Sequence, residues 1–343
     1  MLKQFQIDIT NRCNMNCIHC RNGKLHPKNF KELTYSECIR VFHEARELGC
    51  ESVNIGGGEP LLHADVYKII SYISKYCYTN LLTNGYIVDD QIALELKKSG
   101  IDMVQISLDS VSPVKHNKIR NNKNAYTNVK KAVKSLVKLG ISTCFMVTIS
   151  NYNIYELEEI LNFAAQLKVN LVNFRRLIPQ GNGSSNFEDL SPSHDDISNF
   201  LKKAKFLETK FNIGICLFPF YAFKNKNISK EYIKSPLEIA EGGCSAGVTG
   251  LSISSNGDIQ LCPHIPISLG NIKNDLLYKI WFENSIILKL RDRKNLKGKC
   301  GNCKFSNACG GCRAYPYQLY NDLFMEDTLC TEFLVRTSKE VKI

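Results

Sequence analysis

The chain has 343 residues, 44% of them hydrophobic, and a formal charge of +11 at neutral pH; that length fits two domains, or one barrel with an appendage. No apolar run reaches about 18 residues and the amino terminus has no signal-peptide core, so neither a spanning helix nor secretion is expected, and the expected location is cytoplasmic. The basic surplus is scattered along helical stretches such as Lys130, Lys131, Lys134 and Lys138, which reads as solvated faces and not as a nucleic-acid track.

Fifteen cysteines in a reducing compartment point to metal ligation, because thiols there stay free of disulfides. Phe5, Ile7 and Ile9 alternate as a first strand that runs into Cys13-Asn-Met-Asn-Cys17-Ile-His-Cys20. Thiolates at C-x3-C-x2-C spacing can hold three irons of a four-iron, four-sulfur cube and leave the fourth iron open to a small ligand with an amine and a carboxylate. The alternatives at this point are zinc, which wants a fourth protein ligand, and reduced cysteines by chance.

Thr34-Tyr-Ser-Glu37 is a capping box, followed by Ile39, Val41, Phe42, Ala45 and Leu48 at helical spacing and a stop at Gly49. The strand and helix then repeat. Strands are predicted over residues 52–55, 78–82, 102–108, 142–149 and 169–174, and helices over 64–75, 89–99, 124–139 and 153–167, with Gly100 and Gly140 as stops. Such alternation requires parallel neighbours joined by right-handed crossovers. The expected fold is α/β, a partial (β/α)6 TIM-type barrel over residues 1–180.

Reactive groups of such barrels sit at the carboxyl ends of the strands. The cysteine loop follows the first strand and Gly56-Gly57-Gly58-Glu59-Pro60 the second. Thr83-Asn84-Gly85 ends the third, Ser107 and Asp109 the fourth, Thr148 and Asn151 the fifth, and Arg175 the sixth. All six polar clusters are therefore expected on one rim. Glycine there lets backbone groups approach a ligand with no side chain in the way.

Gly181, Gly183, Ser184, Ser185 and Pro192 mark a linker, and an amphipathic helix near 197–210 completes a bridging segment over 181–212. Residues 213–343 are read as a small cysteine-rich α+β domain, near whose start 211–216 looks like a short strand; a hairpin between 248–253 and 258–261 turns at Asn256-Gly257. It holds Cys244, Cys262, Cys300, Cys303, Cys309, Cys312 and Cys330. Seven thiols do not divide into tetrahedral zinc sites, whereas two cubes with four and three thiolates use them all. Cys38, Cys50 and Cys77 read as small buried hydrophobes; Cys144 and Cys216 could serve as hydrogen-atom donors, a role set aside because spacing does not place them in the site.

The C-x3-C-x2-C loop after a first strand, with Gly57-Gly58-Glu59 beyond it, resembles the radical SAM family, and the later cysteine pattern resembles its SPASM extension. The resemblance implies S-adenosylmethionine (SAM) at the open iron of a cluster held by Cys13, Cys17 and Cys20. Gly57, Gly58 and Glu59 would receive its amino group, Ser107 and Asp109 its ribose, and Arg175 its carboxylate. Asn84 and Asn151 are either further contacts or ordinary turn residues. Arg120 fits a recurring pattern with no role assigned, and His19 is read as packing. By the same resemblance Cys300, Cys303, Cys309 and Cys330 hold a distal auxiliary cluster and Cys244, Cys262 and Cys312 a nearer one, whose fourth iron has no obvious cysteine and could take a substrate thiol, a water or a local side chain, His264 and Cys216 being candidates. That makes three 4Fe–4S clusters. The spacing Cys309-Gly-Gly-Cys312 resembles a variant among haem-precursor and mycofactocin enzymes.

The implied activity is reductive cleavage of SAM to a 5′-deoxyadenosyl radical that oxidatively modifies or cross-links a peptide or protein side chain. The runner-up is radical oxidation, decarboxylation or epimerisation of a small molecule such as a haem precursor or sugar; the non-enzymatic alternative is an iron–sulfur electron carrier. An external donor of flavodoxin or ferredoxin type is expected, and no nucleic acid or membrane partner. With no domain ahead of the first strand to grip a leader, a peptide substrate would need direct binding or a separate recognition protein.

Overall fold

The computed structural model describes residues 1–23, 32–218, 244–303, 306 and 309–330; parts of the predicted carboxyl-terminal domain, 219–243 and 331–343 among them, lie outside the described residues. Six parallel strands follow one another in space as in sequence: β1 (Gln4–Thr10), β2 (Ser52–Gly57), β3 (Tyr78–Thr83), β4 (Met103–Ser107), β5 (Ser142–Ile149) and β6 (Leu171–Arg176). Between them run α1 (Tyr35–Glu47), α2 (Val66–Ile73), α3 (Asp90–Lys98), α4 (Pro113–Arg120), α5 (Ala125–Lys138) and α6 (Leu157–Gln166).

Local chemistry explains where these elements begin and end. Thr34 and Glu37 close the predicted capping box on α1: the Glu37 N–H donates to Thr34 Oγ1 at 3.2 Å, and the Thr34 N–H to Glu37 Oε2 at 2.8 Å. Gly49, Gly100 and Gly140 take positive φ just past α1, α3 and α5, where a left-handed residue releases the chain from the helix. The strands are mostly buried, with Phe5, Ile7, Ile55, Leu81, Ile106, Phe145, Val172 and Phe174 in one contiguous core. Near-continuous apolar strands are what a helix-covered parallel sheet needs.

Beyond β6 the structure departs from a plain linker. Residues 181–190 coil into two short helices, α7 (Asn182–Ser185) and α8 (Phe187–Leu190). The bridging helix α9 (His194–Leu207) begins three residues earlier than predicted, because Ser193 caps it by accepting from the Asp196 N–H at 3.1 Å. The predicted short strand near 211–216 is β7 (Gly214–Phe218), and it pairs in parallel with β6.

At the opposite edge the predicted hairpin, β8 (Gly250–Ile253) and β9 (Asp258–Gln260), joins the same sheet: β8 pairs in parallel with β1, Gln4 against Gly250 and Ile7 against Ile253. A two-residue strand, β10 (Gly270–Asn271), completes the order β10-β9-β8-β1-β2-β3-β4-β5-β6-β7. The remaining helices are α10 (Leu277–Glu283), α11 (Ser285–Arg291), α12 (Gly298–Gly301) and α13 (Ala314–Tyr320). Ile253, Trp281 and Leu290 belong to the core that starts at Leu2, so the apolar interior runs through both parts of the chain. No helix among the described residues is long and apolar enough to cross a membrane.

Candidate active site

The cysteine loop leaves β1 and is held from three sides. From the turn after β2, the Gly58 N–H donates to Thr10 O and the Glu59 N–H to Arg12 O, both at 2.7 Å. From the end of α4, Ile119 O accepts the Ile18 N–H at 3.0 Å. From α7, the Asn182 N–H donates to Cys20 O and its side-chain amide to Cys17 O, both at 2.9 Å, and Asn186 Nδ2 donates to Ile18 O at 3.0 Å.

This crossing explains the glycines. A Cβ on Gly57, whose φ is +145°, would lie 2.2 Å from Thr10 O, and one on Gly58 would lie 2.2 Å from Arg12 O. Any side chain there would push the cysteine loop off the sheet. Gly181, at φ +58°, meets the same limit against Arg21 O at 2.4 Å.

Glu59 is fully buried and accepts from the Asn84 N–H and the Thr83 hydroxyl, each at 2.8 Å, and from the Leu61 N–H at 3.2 Å. Burial pushes its carboxyl up to about 7 against the opposing pull of those three donors. The Asn84 side-chain amide donates to Asn14 Oδ1 at 2.7 Å and lies 3.9 Å from Cys13 Sγ. Asn11 Oδ1 and Asn14 Nδ2, on residues that flank Cys13 in sequence, are buried with no hydrogen-bond partner among the described residues.

On the other side of the loop Asp109, wholly buried, gathers three groups. Arg120 Nε lies 2.7 Å from Asp109 Oδ2 as an ionic contact whose N–H is not aligned for a hydrogen bond, and His19 Nε2 lies 3.1 Å from the same oxygen. The Thr148 N–H donates to Oδ1 at 3.2 Å. Against the cost of burial, the Arg120 and His19 charges hold the Asp109 carboxyl well below its usual range. Arg120 Nη1 reaches to 3.8 Å from Cys17 Sγ. His19, read from the sequence as packing, is therefore also a polar contact of Asp109.

Ser107 is half-buried at the end of β4. Asn151 is exposed, and its side-chain amide donates to Asp189 O in α8 at 2.9 Å. Arg175 lies within electrostatic reach of Cys144, Cys216, Cys262 and Arg21, and Arg21 is itself paired with Asp8 at 2.5 Å.

In the carboxyl-terminal part the Cys244 N–H donates to Cys309 O at 3.0 Å. Cys300 Sγ receives the Asp327 N–H at 3.4 Å and Arg313 Nη2 at 3.6 Å. Asp327 accepts the Cys312 N–H at 2.9 Å and pairs with Arg176 at 2.6 Å. Cys303 and Cys330 are half-buried in the segments flanking this group. His264 lies 3.1 Å from Gln180 Oε1 through Nδ1, and burial, then Arg21 and Arg175, lower its pKa to about 3, leaving it neutral.

These residues fit iron–sulfur clusters on their own chemistry. Burial pushes Cys13, Cys262 and Cys312 up to about 12 and raises Cys17, a setting in which a thiolate needs metal charge to persist. N–H donors from Asn84, Arg120, Arg313 and the main chain already point at the sulfurs. Among the described residues no three His, Cys, Asp or Glu side chains converge on a single-ion position; a cube gives each thiolate its own iron.

The sequence alone does not mark Asn182 and Asn186, which brace the cysteine loop, or Asp327, which contacts Cys300, Cys312 and Arg176 at once. The one available signal was the glycine spacing around Asn182.

The model of the Radical SAM superfamily matches residues 7–164, and that of an iron–sulfur cluster-binding domain, SPASM, matches residues 244–304. The AdoMet-dependent heme synthase of Methanosarcina barkeri (strain Fusaro / DSM 804) is 27% identical over 330 residues, 94% of each chain. That of Nitratidesulfovibrio vulgaris (Hildenborough) is 23% identical over 333 residues, 94% of this chain and 90% of the relative. Among solved structures, Streptococcus suis SuiB bound to S-adenosylmethionine superposes with a TM-score of 0.76 at 17% identity, over 96% of this chain and 77% of SuiB. Native anSMEcpe with bound AdoMet gives 0.71 at 19% identity, over 99% of this chain and 100% of that one. With its cysteine loop at the head of a parallel strand–helix series and a second cysteine set joined to the same sheet, the chain is an enzyme of the radical SAM superfamily with a carboxyl-terminal SPASM domain.

Proposed function

We propose that the chain oxidises a small molecule of the haem-precursor class by radical chemistry. The observation that carries this reading is the alignment with AdoMet-dependent heme synthase of M. barkeri along 94% of both chains. SuiB bound to precursor peptide SuiA shares the fold at 17% identity, a likeness of architecture.

In this reading Cys13, Cys17 and Cys20 hold the cluster that binds SAM, Cys244, Cys262 and Cys312 the nearer auxiliary cluster, and Cys300, Cys303, Cys309 and Cys330 the distal one. The bound clusters and SAM supply electron transfer and hydrogen-atom abstraction. The chain's own residues bind and orient. Main-chain carbonyls of Gly57 and Gly58 take SAM's amino group, since the Gly58 and Glu59 N–H groups are already engaged by the cysteine loop. Ser107 takes the ribose, Asp109 contributes through Arg120 and His19, and Arg175 meets the carboxylate of the methionine end. Asn84 orients Asn14, and Asn151 holds α8 against the rim. The buried floor of the sheet excludes water. An external electron donor of flavodoxin or ferredoxin type is needed.

The test is anaerobic reconstitution with iron and sulfide, then SAM, dithionite and a tetrapyrrole carboxylate. The expected result is 5′-deoxyadenosine formed in step with a change in tetrapyrrole mass. An unchanged tetrapyrrole alongside a modified genome-neighbour peptide replaces this reading with peptide maturation, and absence of 5′-deoxyadenosine under all conditions leaves an electron carrier.

A further inference from the structure

Arg120 is the last residue of α4 and is 7% exposed. Its guanidinium stands between two partners, Asp109 Oδ2 at 2.7 Å and Cys17 Sγ at 3.8 Å. The carboxylate is fixed in turn by His19 and by the Thr148 N–H, and its own main chain by the Asp109 N–H donating to His116 Nδ1 at 3.2 Å and by Asn153 Nδ2 donating to Asp109 O at 2.7 Å. The neighbouring Ile119 O holds the Ile18 N–H, so α4 grips the cysteine loop by main chain and side chain at adjacent positions. Satisfying Asp109 would need only a cation; a planar fork that also reaches a sulfur does more.

We propose that Arg120 is a positioning residue for the first cluster: braced by Asp109 and His19, it donates to Cys17 Sγ and makes that cluster easier to reduce. Reduction adds a negative charge that spreads onto the thiolates, and a cationic N–H donor at a ligand sulfur favours the more negative state. Burial keeps water from screening the contact. The inference rests on Cys13, Cys17 and Cys20 holding the cluster and is independent of the substrate.

The experiment is an EPR-monitored redox titration of the fully reconstituted chain without substrate, the first cluster's signal being the one that changes shape when SAM is added. Because Arg120→Met alone would strip the buried Asp109 of its guanidinium partner, Arg120→Met is combined with Asp109→Asn and compared with Asp109→Asn alone. The double variant is expected to be at least tenfold harder to reduce at the first cluster, about 59 mV for a one-electron couple, with the auxiliary clusters unmoved. Arg120→Lys, which keeps the charge but not the fork, is expected to shift less than the double variant. A first-cluster potential equal to that of Asp109→Asn overturns the proposal, and so does an equal shift of all the clusters, which would mark a general loosening. Should the double variant fail to retain its first cluster, Arg120→Gln in the same Asp109→Asn background is read in its place with the same two outcomes. A titration in which the potentials behave as expected while no tetrapyrrole is converted leaves this inference standing and removes the proposed substrate.

Discussion

Glu59 shows how a single side chain near the rim is set by its surroundings. Buried and bonded to Thr83, Asn84 and Leu61, its carboxyl rises from an ordinary 4.5 to about 7, chiefly through burial. The folded state therefore binds a proton more tightly than the unfolded state does. Its contribution is fully favourable below about pH 4.5, falls as pH rises toward 7 and levels off above, a span of about 3 kcal/mol. Thermal unfolding of the apoprotein across that window tests this: Glu59→Gln should gain stability relative to the parent as pH increases from 5 to 8, and a constant difference would show the carboxyl to be unperturbed. The glycines beside it were legible in the sequence as a ligand approach. Their contact with Thr10 O and Arg12 O was not, because a clash between residues about 46 positions apart leaves no mark in local composition.

At the scale of elements, α1 and the first six strands were legible because caps, stops and apolar runs are local signals. The short helices α4, α7 and α8 were not. In α4 five of the eight side chains are Lys, His, Asn or Arg, which masks an apolar stripe; α7 and α8 have only four residues each, and residues 181–186, Gly-Asn-Gly-Ser-Ser-Asn, have the composition of a loop. They coil because Asn182 and Asn186 bond the main chain of the cysteine loop at Cys17, Ile18 and Cys20. Asn182→Ala removes the donor to Cys17 O and should destabilise the chain by about 1–2 kcal/mol. It should also speed loss of iron to a chelator, followed by the fading of visible absorbance. Bleaching at the parent rate would mean that α7 only covers the loop.

On the scale of the whole molecule, the two parts expected as separate domains share one sheet and one core. Parallel pairing between residues 4–7 and 250–253 is a long-range event, and a sequence shows the hairpin but not the strand it will sit beside. The Arg176–Asp327 pair is the polar counterpart of that union, nearly inaccessible to water and joining the end of β6 to the turn that holds Cys312. Arg176→Met should cost about 3–5 kcal/mol, because it leaves a buried carboxylate unpaired, and the double variant Arg176→Met with Asp327→Asn should recover much of the loss. Denaturant midpoints of Arg176→Met, Asp327→Asn and the double variant test this; additive costs would show the pair to be unimportant.

The seat of β1 between β2 and β8 also dictates an order of events during synthesis. One flank of β1 must wait for residues 250–253 to leave the ribosome, which at ordinary translation speeds is on the order of ten to fifty seconds. Throughout that interval the nascent protein carries an unfilled template for strand addition beside its sulfur-bearing loop, and the sheet cannot close along that flank until residues 250–253 are free to pair.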